Sequence, residues 1–158
     1  MSTLSVPLAN LLRENCSIAM NFCFSRKALE ELVATKFKGE WKNLHEILFS
    51  MSEQRATKAC IELALFLRMF DDREEVSEYL KQTSNPNFGR LIMKNKPDKE
   101  LKIRDVANKI IHAETLEWDF SVADSPRIVC LASVKENEKW TRAEIDVVAL
   151  AAFFGMVG

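Results

Sequence analysis

The chain has 158 residues, 22 basic and 23 acidic side chains, a formal net charge of −1 and a 47% hydrophobic composition. That length suits one domain over residues 1–158 with a core of its own. The balanced charge supplies no global field to draw in nucleic acid or an anionic membrane, and four glycines and four prolines leave little room for low-complexity segments.

The cysteines, Cys16, Cys23, Cys60 and Cys130, form no CxxC pair and lack zinc-site spacing. Cys60 lies in "KACIELALFL" and Cys130 in "RIVCLAS", apolar runs in which a thiol acts as a small buried hydrophobe. The start "MSTLSVPLANLLREN" has no charged segment leading into an apolar one. No apolar run approaches the roughly 18 residues of a membrane span. A cytoplasmic protein with reduced thiols, no membrane contact and no cofactor is expected.

In chain order, Ser5 and Pro7 open a first helix in which Leu8, Leu11, Leu12, Cys16, Ala19, Phe22 and Cys23 recur at threes and fours. A second stripe runs from Leu29 through Phe37 and Trp41 to Met51, with Gly39 as a break or kink. "SMSEQRATKACIELALFLRMFDD" (50–72) is the strongest helix, capped by Ser50 or Ser52. From Ala59 to Phe70 it is apolar nearly all round, Glu62 and Arg68 excepted, so it is expected at the centre of a bundle. Asp71 and Asp72 mark a break before the short helix "REEVSEYLKQ", and "TSNPNFGR" (83–90) is a loop.

Pro97 and Asp98 open the next helix, carried by Leu101, Ile103, Val106, Ala107, Ile110 and Ile111. The period then falls to two. Leu116, Trp118, Phe120 and Val122 alternate with polar residues, "ADSP" turns, and "RIVCLASV" returns, giving an antiparallel hairpin over about 115–135. "WTRAEI" (140–145) carries Thr141 and Glu144 at capping-box spacing, with Trp140 and Ile145 placed as a hydrophobic staple. A last helix is expected through "DVVALAAFFGM". The fold class expected is mainly α: a bundle of about five or six helices with one antiparallel β-hairpin inserted before the last.

The candidate site lies in "RDVANKIIHAETLEW" (104–118). At about 100° per residue Arg104, Asn108 and His112 share one side of a helix, at the edge of its apolar face. An imidazole titrating near neutrality, an amide and a guanidinium in one row have a composition suited to phosphodiester cleavage. The same residues also suit a structural edge, with His112 at the helix C-terminus, Asn108 bonded to a loop and Arg104 paired with Asp105 or with an acid elsewhere. His45, in "KNLHEIL", reads as a surface or interhelical residue. A His45–His112 metal pair would need a nearby carboxylate.

"NKIIHA" resembles the signature region of the HEPN superfamily, small helical domains found in bacterial toxins and defence ribonucleases. The family motif is an arginine, a polar residue, then four to six residues to a histidine. Asn108 matches the polar position and His112 the histidine, while Ala107 stands at the arginine position and Arg104 lies a turn earlier. The helical bundle expected around 28–115 and 141–157 is compatible with that family's fold, and the resemblance implies two copies meeting at an RNA-cleaving site. Two functions are therefore expected as alternatives. One is a non-catalytic HEPN-like module that forms a homodimer or binds a protein partner. The other is a metal-independent ribonuclease using His112 and Asn108, with Arg104 as the replacement cation. RNA binding without cleavage, through Lys94, Lys96, Lys99, Lys102 and Arg104, is a third and weaker expectation, with affinity falling steeply in salt. The apolar ending "AAFFGMVG" points to docking into a core or a subunit interface.

Overall fold

The computed structural model describes residues 7–37 and 43–156. Ser5 of the expected helix start and the break at Gly39 lie outside them. Helix α1 (Leu8–Lys36) runs unbroken from Pro7. Its first half buries Leu8, Leu12, Cys16, Ala19, Phe22 and Cys23, the stripe the sequence predicts. A π-helical turn (Glu46–Ser50) leads directly into α2 (Met51–Glu74), so Ser50 makes no side-chain cap. Asp71 and Asp72 do not break α2. It ends at Glu75, whose positive φ of 49° halts the helix before α3 (Val76–Gln82).

The expected bundle with a single hairpin is contradicted by a five-stranded antiparallel sheet. Its strands are β1 (Gly89–Met93), β2 (Lys99–Glu100), β3 (Ala113–Asp119), β4 (Arg127–Ala132) and β5 (Trp140–Asp146), in the order β2-β1-β5-β4-β3. The predicted hairpin is present as β3 and β4. The expected helix start at Pro97–Asp98 is instead the approach to β2, and α4 (Ile103–Ile111) begins later. Strands interrupt residues 28–115 and 141–157, so the helical bundle expected there does not form.

The largest correction concerns "WTRAEI". Thr141 and Glu144 do not cap a helix; they lie in β5, the central strand. Ala143 and Ile145 face the core, while Arg142 and Glu144 face the other side. The helix begins one element later: the Asp146 carboxylate accepts the N–H groups of Val148 and Ala149 at 2.9 and 3.1 Å and so caps α5 (Val147–Met156).

One row across the sheet, Leu91, Ala143, Cys130 and Leu116, joins the helices in the core. Trp118 packs edge-on to Phe22 at 5.0 Å and donates to Thr57 Oγ1 at 3.3 Å, tying β3 to α1 and α2. Of the apolar C-terminal segment, Phe153 and Phe154 dock into the core as predicted, while Met156 is exposed. On the opposite sheet face Glu144 is buried beneath Arg90, Arg127 and Arg142, with contacts of 2.8, 3.5 and 3.2 Å. These three cations compensate a charge that would otherwise be costly to bury.

All four cysteines are unpaired and buried. Burial pushes the Cys16 thiol up to about 11 and those of Cys23 and Cys130 up to about 12, and it raises Cys60 as well. The thiolate is the reactive form. A folded sample at about pH 8 should therefore resist an aromatic disulfide reagent that titrates all four thiols after denaturation. Rapid labelling of the native protein would contradict this packing.

Candidate functional site

The sequence of α4 sets its orientation. Ile103, Val106, Ala107 and Ile110 recur at threes and fours and are buried. The Asp105 carboxylate accepts the Lys102 N–H at 3.0 Å and anchors the first turn. Arg104 and Asn108 consequently lie along the seam with α2.

Along that seam the charges interlock. Arg104 Nη1 donates to Asp71 Oδ2 at 2.7 Å and to Asp72 Oδ1 at 3.0 Å. Arg68 Nη1 donates to Asn108 Oδ1 at 2.6 Å, and Arg68 Nε lies 3.8 Å from Asp72 Oδ2. Asp71 is the centre of the group. Its side chain is buried, and it accepts the Ser77 N–H at 2.7 Å and the Ser77 hydroxyl at 3.1 Å. Asp71 thus supplies an N-terminal cap to α3 from outside that helix. Burial works to raise the Asp71 carboxyl. The Ser77 N–H, the Arg104 guanidinium and the Ser77 hydroxyl outweigh it and hold the group below its ordinary value. The Arg104 guanidinium is raised in turn, first by Asp71 and then by Asp72.

The three predicted residues fare differently. Arg104 and Asn108 are on the same seam, but both are engaged by α2. His112 is the residue after α4. Its N–H donates to the Asn108 carbonyl at 3.0 Å, and its ring is exposed with no hydrogen bond or ion pair to any described residue. His45 lies at the entry to α2, its ring 5.2 Å from Phe49 and its Nδ1 3.5 Å from Ser50 Oγ. Among the described residues no group of three or more His, Cys, Asp or Glu is placed to hold a metal ion. Of the basic residues, Lys102 is spent on Glu100 and the Asn85 carbonyl, and Arg104 on its two aspartates.

Beside the polar seam lies an apolar groove of about 380 Å³ between α2 and the α4–β3 corner. Thr57, Ile61 and Leu65 form one wall; Ile110, Ile111 and Leu116 form the other. A second hollow extends along α2 toward its N-terminus and shares Thr57 and Ile61. Here the expectation of an all-round buried helix fails. Ala56, Ala59, Cys60, Leu63, Ala64 and Leu67 are buried, yet Ile61, Leu65 and Met69 are 46, 50 and 42% exposed. Apolar character alone places these three in the core, and it makes Arg68 an interruption and Asp71–Asp72 a break. The signal that separates them is their spacing: Ile61, Leu65 and Met69 form a second four-residue series, offset from the buried one.

Comparison with protein-family models, curated proteins and solved structures gives no match. Among the described residues no helix is long and apolar enough to cross a membrane.

Proposed function

We propose that the chain is a non-catalytic binding module that self-associates, and that its working surface is the uncovered side of α2 with the groove beside it. The observation that carries this reading is the row Ile61, Leu65 and Met69, three large apolar side chains about half exposed at four-residue intervals, the first two lining an apolar groove. A contiguous apolar surface of this kind is a standard mark of an interaction site. Four unpaired buried thiols suit a reducing compartment, which supports a cytoplasmic setting.

The polar row supports the same reading. Arg104 is committed to Asp71 and Asp72, and Asn108 presents its carbonyl oxygen to Arg68. The alternative, a ribonuclease using Asn108 and His112, gains Arg68 as a cation beside Asn108, but it would have to open these contacts to reach a phosphate. A time course on mixed RNA with EDTA present should show no cleavage by wild type or by His112→Ala. Cleavage by wild type that is lost in His112→Ala would overturn the non-catalytic reading. Leu65→Asp, at an exposed position, should keep the helical circular-dichroism signal. It should elute from a sizing column later than wild type, because a charge at the centre of the contact opposes association by about a hundredfold. Identical elution of the two proteins would remove α2 as the contact.

A further inference from the structure

We infer that the partner of the α2 surface is a second copy of the chain, with its α2 antiparallel about a two-fold axis through Leu65. The inference rests on the self-association read above and adds its geometry. At about 100° per residue, Lys58, Ile61, Glu62, Leu65, Arg68, Met69 and Asp72 fall within roughly a third of the helix circumference. A two-fold axis through Leu65 brings each residue level with the one equally far along on the other side. Leu65 is then level with Leu65, Ile61 with Met69, Glu62 with Arg68 and Lys58 with Asp72, the long charged side chains reaching across the seam. Apolar meets apolar and acid meets base at every position, and symmetry makes each unequal pair twice.

The charges also select this register. Sliding one copy by one helical turn moves the axis to Leu63 or Leu67. An axis at Leu63 sets Lys58 against Arg68; one at Leu67 sets Glu62 against Asp72. A parallel arrangement would set every charge against its own copy. Of these arrangements only the axis at Leu65 avoids like-charge opposition, which is how a helix face excludes wrong pairings. Within one chain the same charges form only loose pairs, Lys58 with Glu62 and Arg68 with Asp72, each at 3.8 Å and partly exposed. Such exposed pairs contribute little and exchange partners at small cost. Arg68 gives one N–H to Asn108 through Nη1 and its side chain is 40% exposed, so the outer part of the guanidinium keeps donors for the second copy's Glu62.

The test combines cysteine trapping with a charge exchange in the full chain. The native cysteines are buried and should not compete. Leu65→Cys lies on the axis and should form an intermolecular disulfide under mild oxidation. Lys58→Cys should not, because two copies of that position are about 21 Å apart along the helix. Glu62→Lys and Arg68→Glu should each weaken association about tenfold, since each sets like charges together twice. An equimolar mixture of the two variants should recover the wild-type affinity, because the lysine introduced by Glu62→Lys in one copy then faces the glutamate introduced by Arg68→Glu in the other. A folding defect would not be rescued by mixing. Arg68 also holds Asn108, so the cysteine pair decides the matter should Arg68→Glu fail to fold. A wild-type dimer in which Lys58→Cys is trapped as readily as Leu65→Cys, or in which Glu62→Lys changes nothing, overturns the axis and leaves self-association standing. A monomeric wild type overturns both.

Discussion

Gly89→Ala is expected to reduce folding stability by about 3 kcal/mol or more, in the tail of single-substitution effects. Gly89 opens β1 with a φ of +145°, a region that L side chains rarely adopt. An added Cβ would fall onto the Glu144 carbonyl oxygen and lie 3.2 Å from Ile145 Cα, both in the backbone of the central strand. No flexible side chain is there to yield. β5 would have to shift, and with it the pairing of Gly89 with Ile145 and the capping of α5 by Asp146. Chemical denaturation of the purified variant measures the effect. A loss below about 1 kcal/mol would mean that this contact does not fix the β1–β5 register.

Asp71→Ala is expected to cost about 2–3 kcal/mol, the sum of a lost helix cap and a lost charge-assisted hydrogen bond. It removes the acceptor of the Ser77 N–H and hydroxyl and leaves Arg104 with Asp72 alone. The effect has a pH signature. The folded Asp71 carboxyl lies below its ordinary 3.8, so its charged form is favoured by folding. The stability it contributes is complete well above pH 3.8 and is lost as pH falls through the folded value. Wild type and Asp71→Asn should therefore differ by a constant amount near neutrality and converge in acid. A difference that persists unchanged below the folded value would assign Asp71 a purely steric role.

These two positions mark what the sequence disclosed and what it hid. Local periodicity was legible: the inner face of α1, the β3–β4 hairpin with Leu116 and Trp118 turned inward, and the last helix all follow from it. The rest of the sheet was not. β1 has five residues and β2 two, and both depend on tertiary pairing, as when Arg90 pairs with Glu144. Such pairing leaves no local trace. β5 was concealed by a coincidence, because Thr141 and Glu144 stand at capping-box spacing although tertiary pairing makes them strand. The site divides in the same way. That Arg104, Asn108 and His112 share one helix edge could be read from their spacing. That Asp71, Asp72 and Arg68 would occupy two of the three could not, since those partners lie 32 to 40 residues away. On α2 apolar character was plain, but which apolar residues remain uncovered depends on where α1 and α4 pack.

Self-association is tested most directly by the mass of the wild-type protein in solution, measured by light scattering over a dilution series from high to low micromolar. Pairing through α2 predicts twice the 18.1 kDa chain mass at the concentrated end, falling toward 18.1 kDa on dilution, with Leu65→Asp at 18.1 kDa throughout. A wild-type mass of 18.1 kDa at every concentration would contradict it.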